Sequence, residues 1–149
     1  MKKTRCDAYV DAIVYWCGRL GMPKVTEVRK DNRFHEYMAV IEYDKNKAEL
    51  VYNARRLGHL PVCQVMSMIF HEIGHLKHKM KYETEKQQVE SEYRAEKYSQ
   101  RMMKRYYPHL YKDLLKDMKD KKAMKRLQKE CPIHYQAYRR IKDYRNTEV

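Results

Sequence analysis

The chain has 149 residues, of which 43% are apolar, and its formal net charge is +13. This length predicts a single domain, residues 1–149, with one modest core. No run of residues approaches the roughly 20 apolar positions that span a bilayer, so we expect no membrane contact. The start of the chain, residues 1–5, is basic, but Asp7 and Asp11 follow, which is not typical of a signal peptide. These features favour a cytoplasmic protein.

The excess of basic residues lies mainly in the last third of the chain. Residues 101–149 contain 15 Lys and Arg against 6 Asp and Glu, which gives a net charge of +9. Such a surface suits nucleic acid, an acidic protein or an anionic surface, although a solvated Lys-rich surface is the simpler explanation. Nucleic acid is therefore kept as a second partner class, and the sequence does not specify an oligomeric state.

Four cysteines are present, and none of them forms a CxxC pair. They are Cys6, Cys17, Cys63 and Cys131. A zinc site made of cysteines is therefore not indicated. In a reducing compartment we expect four free thiols, mostly buried.

The first half of the chain predicts one helix and a small sheet. Residues 7–20 place apolar side chains at helical spacing, and Gly21 and Pro23 end that run. Three strands are predicted at residues 24–29, 34–43 and 48–53, the last two joined by a turn at 44–47. We expect these strands to form a small antiparallel meander.

The second half predicts helices throughout. An apolar helix begins near Pro61, where proline is tolerated in the first turn. Further helices are predicted at residues 86–106, at 109–129 and from Pro132 onward, with Pro108 ending the first of them. The sequence therefore predicts an α+β fold: an N-terminal helix, a small antiparallel-rich sheet and a helical, basic C-terminal region.

The most informative motif lies in the helix that begins near Pro61. It reads His71-Glu72-Ile73-Gly74-His75, an HExxH pattern. Two imidazoles four residues apart lie on one helical face, about 6 Å apart along the axis, so both can bind one metal ion. The adjacent Glu72 can then reach a water on that ion. Such an arrangement is typical of the centres of zinc hydrolases.

A third ligand must come from elsewhere, because catalytic zinc takes three protein ligands and keeps one open position. His78 lies seven residues beyond His71, about 10 Å along the helix, which is too far for one ion. The distal residues His109 and His134 remain candidates for the third ligand, but no motif surrounds them. Glu92 on the next helix is preferred, since sixteen residues separate it from the motif and allow an antiparallel return.

Two neighbours of Glu92 support this choice. Ala95 is small enough for the two helices to approach closely. Glu96, one turn beyond Glu92, can accept the free N–H of a ligand imidazole, which orients the ring and raises its basicity.

With these residues identified, the sequence resembles the gluzincin metallopeptidases, and among them the minigluzincins and the ImmA/IrrE-type peptidases. The matching segments are residues 50–53, the motif at 71–75, and Glu92-Tyr93-Arg94-Ala95-Glu96. The resemblance covers roughly residues 34–106, and it departs at Glu96, where the family usually has the shorter Asp or Asn. It implies an α+β fold in which a small sheet packs beside the active-site helix and the glutamate helix completes the site. Within the single domain we expect a catalytic core at residues 1–106 and a helical C-terminal extension at 107–149.

The resemblance also implies the role of each residue. His71, His75 and Glu92 would hold Zn²⁺, and Glu72 would be the general base. Glu96 would accept a hydrogen bond from one of the ligand imidazoles. The protein would be a zinc metalloendopeptidase that hydrolyses peptide bonds in a protein or peptide substrate, with residues 48–53 as an edge strand for the substrate. The alternatives are a DNA-associated metalloprotease and a non-catalytic basic module that keeps the zinc site.

The sequence does not single out the residue that would donate a hydrogen bond to the oxyanion of the intermediate, because several aromatic residues could do so. The candidates are Tyr98, Tyr106, Tyr107, His109, Tyr111 and His134. A further hypothesis concerns Cys131 and His134, which flank Pro132. Either side chain could fold back onto the open position of the metal and keep the enzyme latent.

Overall fold

The computed structural model describes residues 4–21, 24–44 and 46–145. These residues form seven α-helices and a three-stranded sheet, so the predicted α+β class is confirmed. The helices are α1 (Arg5–Leu20), α2 (Ala54–Leu57), α3 (Val62–Lys77), α4 (Glu85–Tyr106), α5 (Pro108–Met118), α6 (Lys121–Glu130) and α7 (Pro132–Arg139), followed by a 3₁₀ turn at Lys142–Tyr144. The strands are β1 (Val25–Lys30), β2 (Met38–Asp44) and β3 (Lys47–Tyr52). Among the described helices, none combines the length and apolar character needed to cross a membrane.

Local sequence signals set most of the helix starts. Thr4 caps α1 and Thr84 caps α4, each in a capping box whose third helical residue bonds back to the cap. Prolines occupy the first helical position of α5 and α7. A backbone N–H at this position would have no acceptor within the helix, so proline costs no hydrogen bond there. The helix that carries the HExxH motif begins directly after Pro61, as predicted. Residues 1–3, Pro23 and Lys45, which also entered the predictions, lie outside the described residues.

The predicted antiparallel meander is wrong, because the sheet is mixed and has the order β1-β3-β2. β3 pairs parallel with β1 and antiparallel with β2. The physical reason is burial: Ala48, Leu50 and Val51 are almost fully buried, so β3 takes the central position, which neighbours cover on both sides. β2 also begins four residues later than predicted, at Met38.

Two helical segments also differ from the prediction. The single helix expected at residues 109–129 is divided into α5 and α6, because the Asp120 side chain accepts the N–H groups of Lys122 and Ala123 and starts a new helix. The short helix α2 was not predicted at all. Its cap is Asn53, whose side chain accepts the Arg56 N–H, so the end of β3 is also the beginning of a helix.

The core is centred on α3, which lies between α1, β2, α4 and α5. Trp16 of α1 and Phe70 of α3 meet edge to face, with ring centroids 5.0 Å apart. All four cysteines are free thiols; Cys17 and Cys63 are buried, Cys6 is half-buried and Cys131 is exposed. The HExxH helix is therefore held on several sides, which fixes the side chains that it presents to α4 and α7.

Candidate metal centre

The centre lies between α3 and α4, which approach each other unusually closely. A Cβ on Gly74 would lie 2.8 Å from the Ala95 carbonyl oxygen, closer than real Cβ contacts come. Two buried serines connect the same helices farther along, where the Ser99 hydroxyl donates to the Ser67 carbonyl at 2.8 Å. The small residues at positions 74 and 95 therefore bring the HExxH motif and Glu92 together, as the sequence predicted for Ala95.

His71, His75 and Glu92 converge in this space. Glu92 Oε1 lies 2.8 Å from Nε2 of His71 and 3.1 Å from Nε2 of His75. His71 and Glu92 are buried, with 5% and 4% of their surfaces exposed, whereas His75 is partly open to solvent. The structure thus brings together the three residues that the sequence predicted as metal ligands.

Glu96 lies on the far side of the His71 ring. Its Oε1 is 2.7 Å from His71 Nδ1, and its Oε2 accepts a hydrogen bond from the hydroxyl of Tyr144. When a metal displaces the proton of Nε2, Nδ1 would keep its own proton and donate it to this carboxylate, which orients the ring. The longer arm of a glutamate therefore reaches the position that the sequence analysis assigned to it.

Glu72 points toward the edge strand of the sheet. Its Oε1 accepts the backbone N–H of Val40 on β2 at 3.0 Å. Glu72 also forms, with His71 and His75, a group whose potential ligand atoms all lie within 4.8 Å of one another. The carboxylate is therefore fixed beside the two imidazoles, where a general base would be required.

His134 enters the centre from α7. Its Nε2 is 3.1 Å from Glu92 Oε1, and its ring lies nearly parallel to that of His71, with centroids 6.0 Å apart and planes at 25°. Together with the buried side chains of His71 and Glu92, the partly exposed His134 forms a group that could hold a metal ion. From the sequence, His134 was a candidate for a distal ligand, for the oxyanion donor and for a blocking group, and no motif chose among these roles, because α7 reaches the site through tertiary packing.

Two tyrosines contact the same carboxylates and were not predicted. Tyr82 donates its hydroxyl to Glu92 Oε2 at 2.7 Å, from the segment between α3 and α4. Tyr144 reaches Glu96 from the last described turn. No periodicity or spacing in the sequence marks either residue, since Tyr82 lies in a loop and Tyr144 in a short 3₁₀ turn.

The other aromatic candidates for the oxyanion donor have partners elsewhere. Tyr98 packs against His78, Tyr107 accepts the Trp16 indole N–H, and Tyr111 donates to Asp143. His109 is exposed on α5, and Tyr106 packs against Trp16. Of the six candidates, only His134 lies within hydrogen-bond distance of the described ligand groups.

The electrostatics of the centre favour a cation. Burial lowers the pKa of His71, but the hydrogen bonds to Glu92 and Glu96 outweigh it, so this pKa lies well above its usual value. Burial raises the pKa of Glu92, but its hydrogen bonds with His134, His71 and His75 bring it far below the usual range. Burial raises the pKa of Glu72, and the nearby imidazoles offset only part of this effect.

The donor set fits a divalent metal. Imidazole nitrogens with one carboxylate oxygen are ligands that Zn²⁺ commonly takes, and ligand atoms around a tetrahedral ion with bonds of about 2.0–2.2 Å lie roughly 3.4 Å apart. The observed separations of 2.8 and 3.1 Å differ from this value by a few tenths of an ångström. Among the described residues, the ligand atoms that all lie within 4.8 Å of one another belong to two groups: His71 with Glu92 and His134, and His71 with Glu72 and His75. The side chain of His75 would therefore have to shift for it to bind the same ion as Glu92 and His134.

The chain matches no protein-family model, no curated protein and no solved structure.

Proposed function

We propose that the protein is a zinc-dependent metallopeptidase in which His71, His75 and Glu92 hold the metal. The observation that supports this proposal most directly is the convergence of the two HExxH imidazoles on one oxygen of a buried glutamate from the next helix. A metal bound there would polarise the scissile carbonyl and acidify a water molecule. The resemblance of the motif to the gluzincins points the same way.

Glu72 is the proposed general base. It accepts a proton from the attacking water and passes that proton to the leaving amine. Its raised pKa suits this exchange, because a carboxylate that is too weak a base would not take the proton. The hydrogen bond from the Val40 N–H keeps one of its oxygens in place.

An extended peptide would lie beside β2 rather than β3. From the sequence we expected residues 48–53 to be the edge strand for the substrate, but β3 is the central strand and has neighbours on both sides. β2 lies at the edge, and its Val40 N–H already points out of the sheet toward Glu72. A substrate strand added along β2 would therefore run past the general base.

The test is metal content measured together with cleavage. The purified native chain should hold one equivalent of zinc, and His75→Ala and Glu92→Ala should lose it. Glu72→Gln should keep the metal and lower casein cleavage by about 10²–10⁴-fold, because only proton transfer is removed. Cleavage is measured in the native chain and in His134→Ala, since His134 lies against the same carboxylate.

Glu130→Gln is the matched control, because this glutamate is exposed at the end of α6. It should leave both metal content and cleavage unchanged. A chain that binds no metal above background would refute the proposal. Stoichiometric zinc without cleavage in either chain would favour the alternative, a basic binding module that keeps the metal site.

A further inference from the structure

His134 lies as close to the shared Glu92 oxygen as the predicted ligand His75 does. Both Nε2 atoms are 3.1 Å from Oε1, and that of His71 is 2.8 Å away. Three imidazole nitrogens therefore surround one carboxylate oxygen. Zinc is usually four-coordinate with protein ligands of this kind, and four such ligands leave no open position.

The packing of α7 fixes the ring of His134 rather than leaving it at the surface. Tyr138 follows one turn later on the same face, and its ring packs edge-on against His134 and His71, at centroid distances of 6.0 and 6.3 Å. Ala137, between them in sequence, is fully buried against the rest of the protein. The imidazole therefore reaches the centre from a helix that is docked in a defined orientation.

A second set of contacts holds α7 from outside the centre. The Arg140 guanidinium lies 3.9 Å from the centroid of the Tyr93 ring and forms an ion pair with Glu90, both on α4. These groups are partly exposed, with 44% of the Arg140 side chain open to solvent. Such contacts are weak individually, so they can be broken without unfolding the core.

We propose that His134 is a fourth protein ligand of the metal, and that α7, while docked, occupies the position that water and substrate require. This inference rests on the proposed function and adds its regulation: the native chain is closed, and release of α7 opens it. The helix before it permits such a movement, because α6 buries none of its residues. His134 itself has 37% of its side chain exposed, whereas His71 has only 6%.

Between the two residues suggested by the sequence, the structure favours the histidine. Cys131 is exposed at the start of α7, whereas His134 contacts Glu92 and forms a potential ligand group with His71 and Glu92, which His75 would join through a shift of its side chain. The inference therefore assigns the blocking role to an imidazole and gives the thiol none.

The test uses Co²⁺ bound to the full chain, because its absorption spectrum reports the ligands directly. His134→Ala should bind Co²⁺ at least about tenfold more weakly than the native chain, as expected when a ligand is removed. Azide, added as a small exogenous ligand, should change the spectrum of His134→Ala at concentrations that leave the native spectrum unaltered. His109→Ala is the matched control, since His109 is exposed on α5, and it should behave like the native chain.

Arg140→Ala gives a second, independent measurement. It leaves every ligand in place and weakens only the docking of α7, so azide should reach the cobalt at lower concentrations than in the native chain. This variant keeps the inference testable if His134→Ala fails to fold.

The inference is overturned if the native chain and His134→Ala bind Co²⁺ equally well and respond equally to azide. Casein cleavage separates this failure from that of the proposed function. Greater cleavage by His134→Ala than by the native chain supports both proposals. If neither chain cleaves casein while azide still distinguishes their cobalt spectra, the peptidase proposal fails and the fourth ligand stands.

Discussion

His71 is contacted on both sides of its ring, and this double contact makes it the central residue of the site. Nε2 faces Glu92 and Nδ1 faces Glu96, at 2.8 and 2.7 Å. An imidazole fixed in this way cannot rotate or exchange its tautomer freely. A metal bound to Nε2 would therefore find its ligand already oriented, with a carboxylate behind it to increase its basicity.

Replacing Glu96 by Gln tests this orientation at the scale of one residue. The amide has nearly the same shape but lacks the negative charge, so we expect zinc affinity to fall by about 10–100-fold. Competition with a chelator of known affinity measures the change. Glu130→Gln should bind as tightly as the native chain, and an unchanged affinity in Glu96→Gln would show that the contact with His71 does not support the metal.

The motif and Glu92 were predictable because each follows from fixed spacing on a helix. His71 and His75 share a face at i and i+4, and Glu92 needed only an antiparallel second helix. His134 was only one of several distant candidates for the centre, and Tyr144 was not a candidate, since their positions depend on how α7 and the last turn pack, and no local periodicity encodes that packing. Local sequence patterns therefore predict where helices and strands form more reliably than they predict how those helices and strands pack together.

At the scale of elements, the close crossing of α3 and α4 determines whether the ligands meet. Gly74 lies inside the HExxH motif and also at the crossing point, where its missing side chain lets the Ala95 backbone approach. The glycine is therefore required by packing and not by an unusual backbone angle. Moving the two helices apart would separate Glu92 from both imidazoles.

Gly74→Ala should force this separation. A Cβ at this position would lie 2.8 Å from a backbone oxygen that cannot rotate away, so we expect a loss of about 1–3 kcal/mol in unfolding free energy. Metal affinity should fall with it, because Glu92 moves with α4. Urea unfolding and zinc titration measure the two effects.

Gly18→Ala is the matched control for this substitution. A Cβ on Gly18 in α1 meets no atom within 4 Å, so alanine should keep or slightly raise stability through its better helix propensity. If Gly74→Ala were as stable as Gly18→Ala and bound metal normally, the close crossing would not be needed for the centre.

The sheet shows where sequence signals reach their limit. The three strands were found within a few residues, yet their order was not, because alternation of apolar residues does not say which strand becomes central. Because β3 is buried, it is the central strand of the sheet, and β2 lies at an exposed edge. The same limit applies to α5 and α6, where the capping side chain of Asp120 outweighed continuous helical periodicity.

At the scale of the whole molecule, the C-terminal segment is attached to the core by a polar cluster beside the metal centre. Asp143 Oδ2 accepts hydrogen bonds from the Tyr111 hydroxyl and the Gln100 amide, at 2.8 and 3.0 Å, and pairs with Lys104. The hydrogen bonds from Tyr111 and Lys104 lower the pKa of Asp143 below its usual value of 3.8. This attachment is therefore strongest while Asp143 is ionised.

Asp143→Asn should reveal a dependence on pH. Because the folded pKa is lowered, the carboxylate stabilises the fold above about pH 3.8 and loses this contribution as the pH falls through the lower folded pKa. The side chain is partly exposed, so the effect is at most about 1 kcal/mol, or roughly 2–4 °C in melting temperature at pH 7.

Thermal unfolding at pH 7 and at successively lower pH checks this expectation. The gap between Asp143→Asn and the native chain should narrow once the pH passes below 3.8. Asp113→Asn, at an exposed position on α5, serves as the control and should match the native chain throughout. A gap that stays constant with pH would show that the charge of Asp143 does not hold the segment.

Tyr82 also has a consequence for which ions the protein would accept. Its hydroxyl engages Glu92 Oε2, so this glutamate presents a single oxygen to the space between the imidazoles. Calcium needs six to eight oxygens and often takes both atoms of a carboxylate, whereas a small, nitrogen-preferring ion needs only one. One phenol on an irregular segment would therefore discriminate against the abundant alkaline-earth cations.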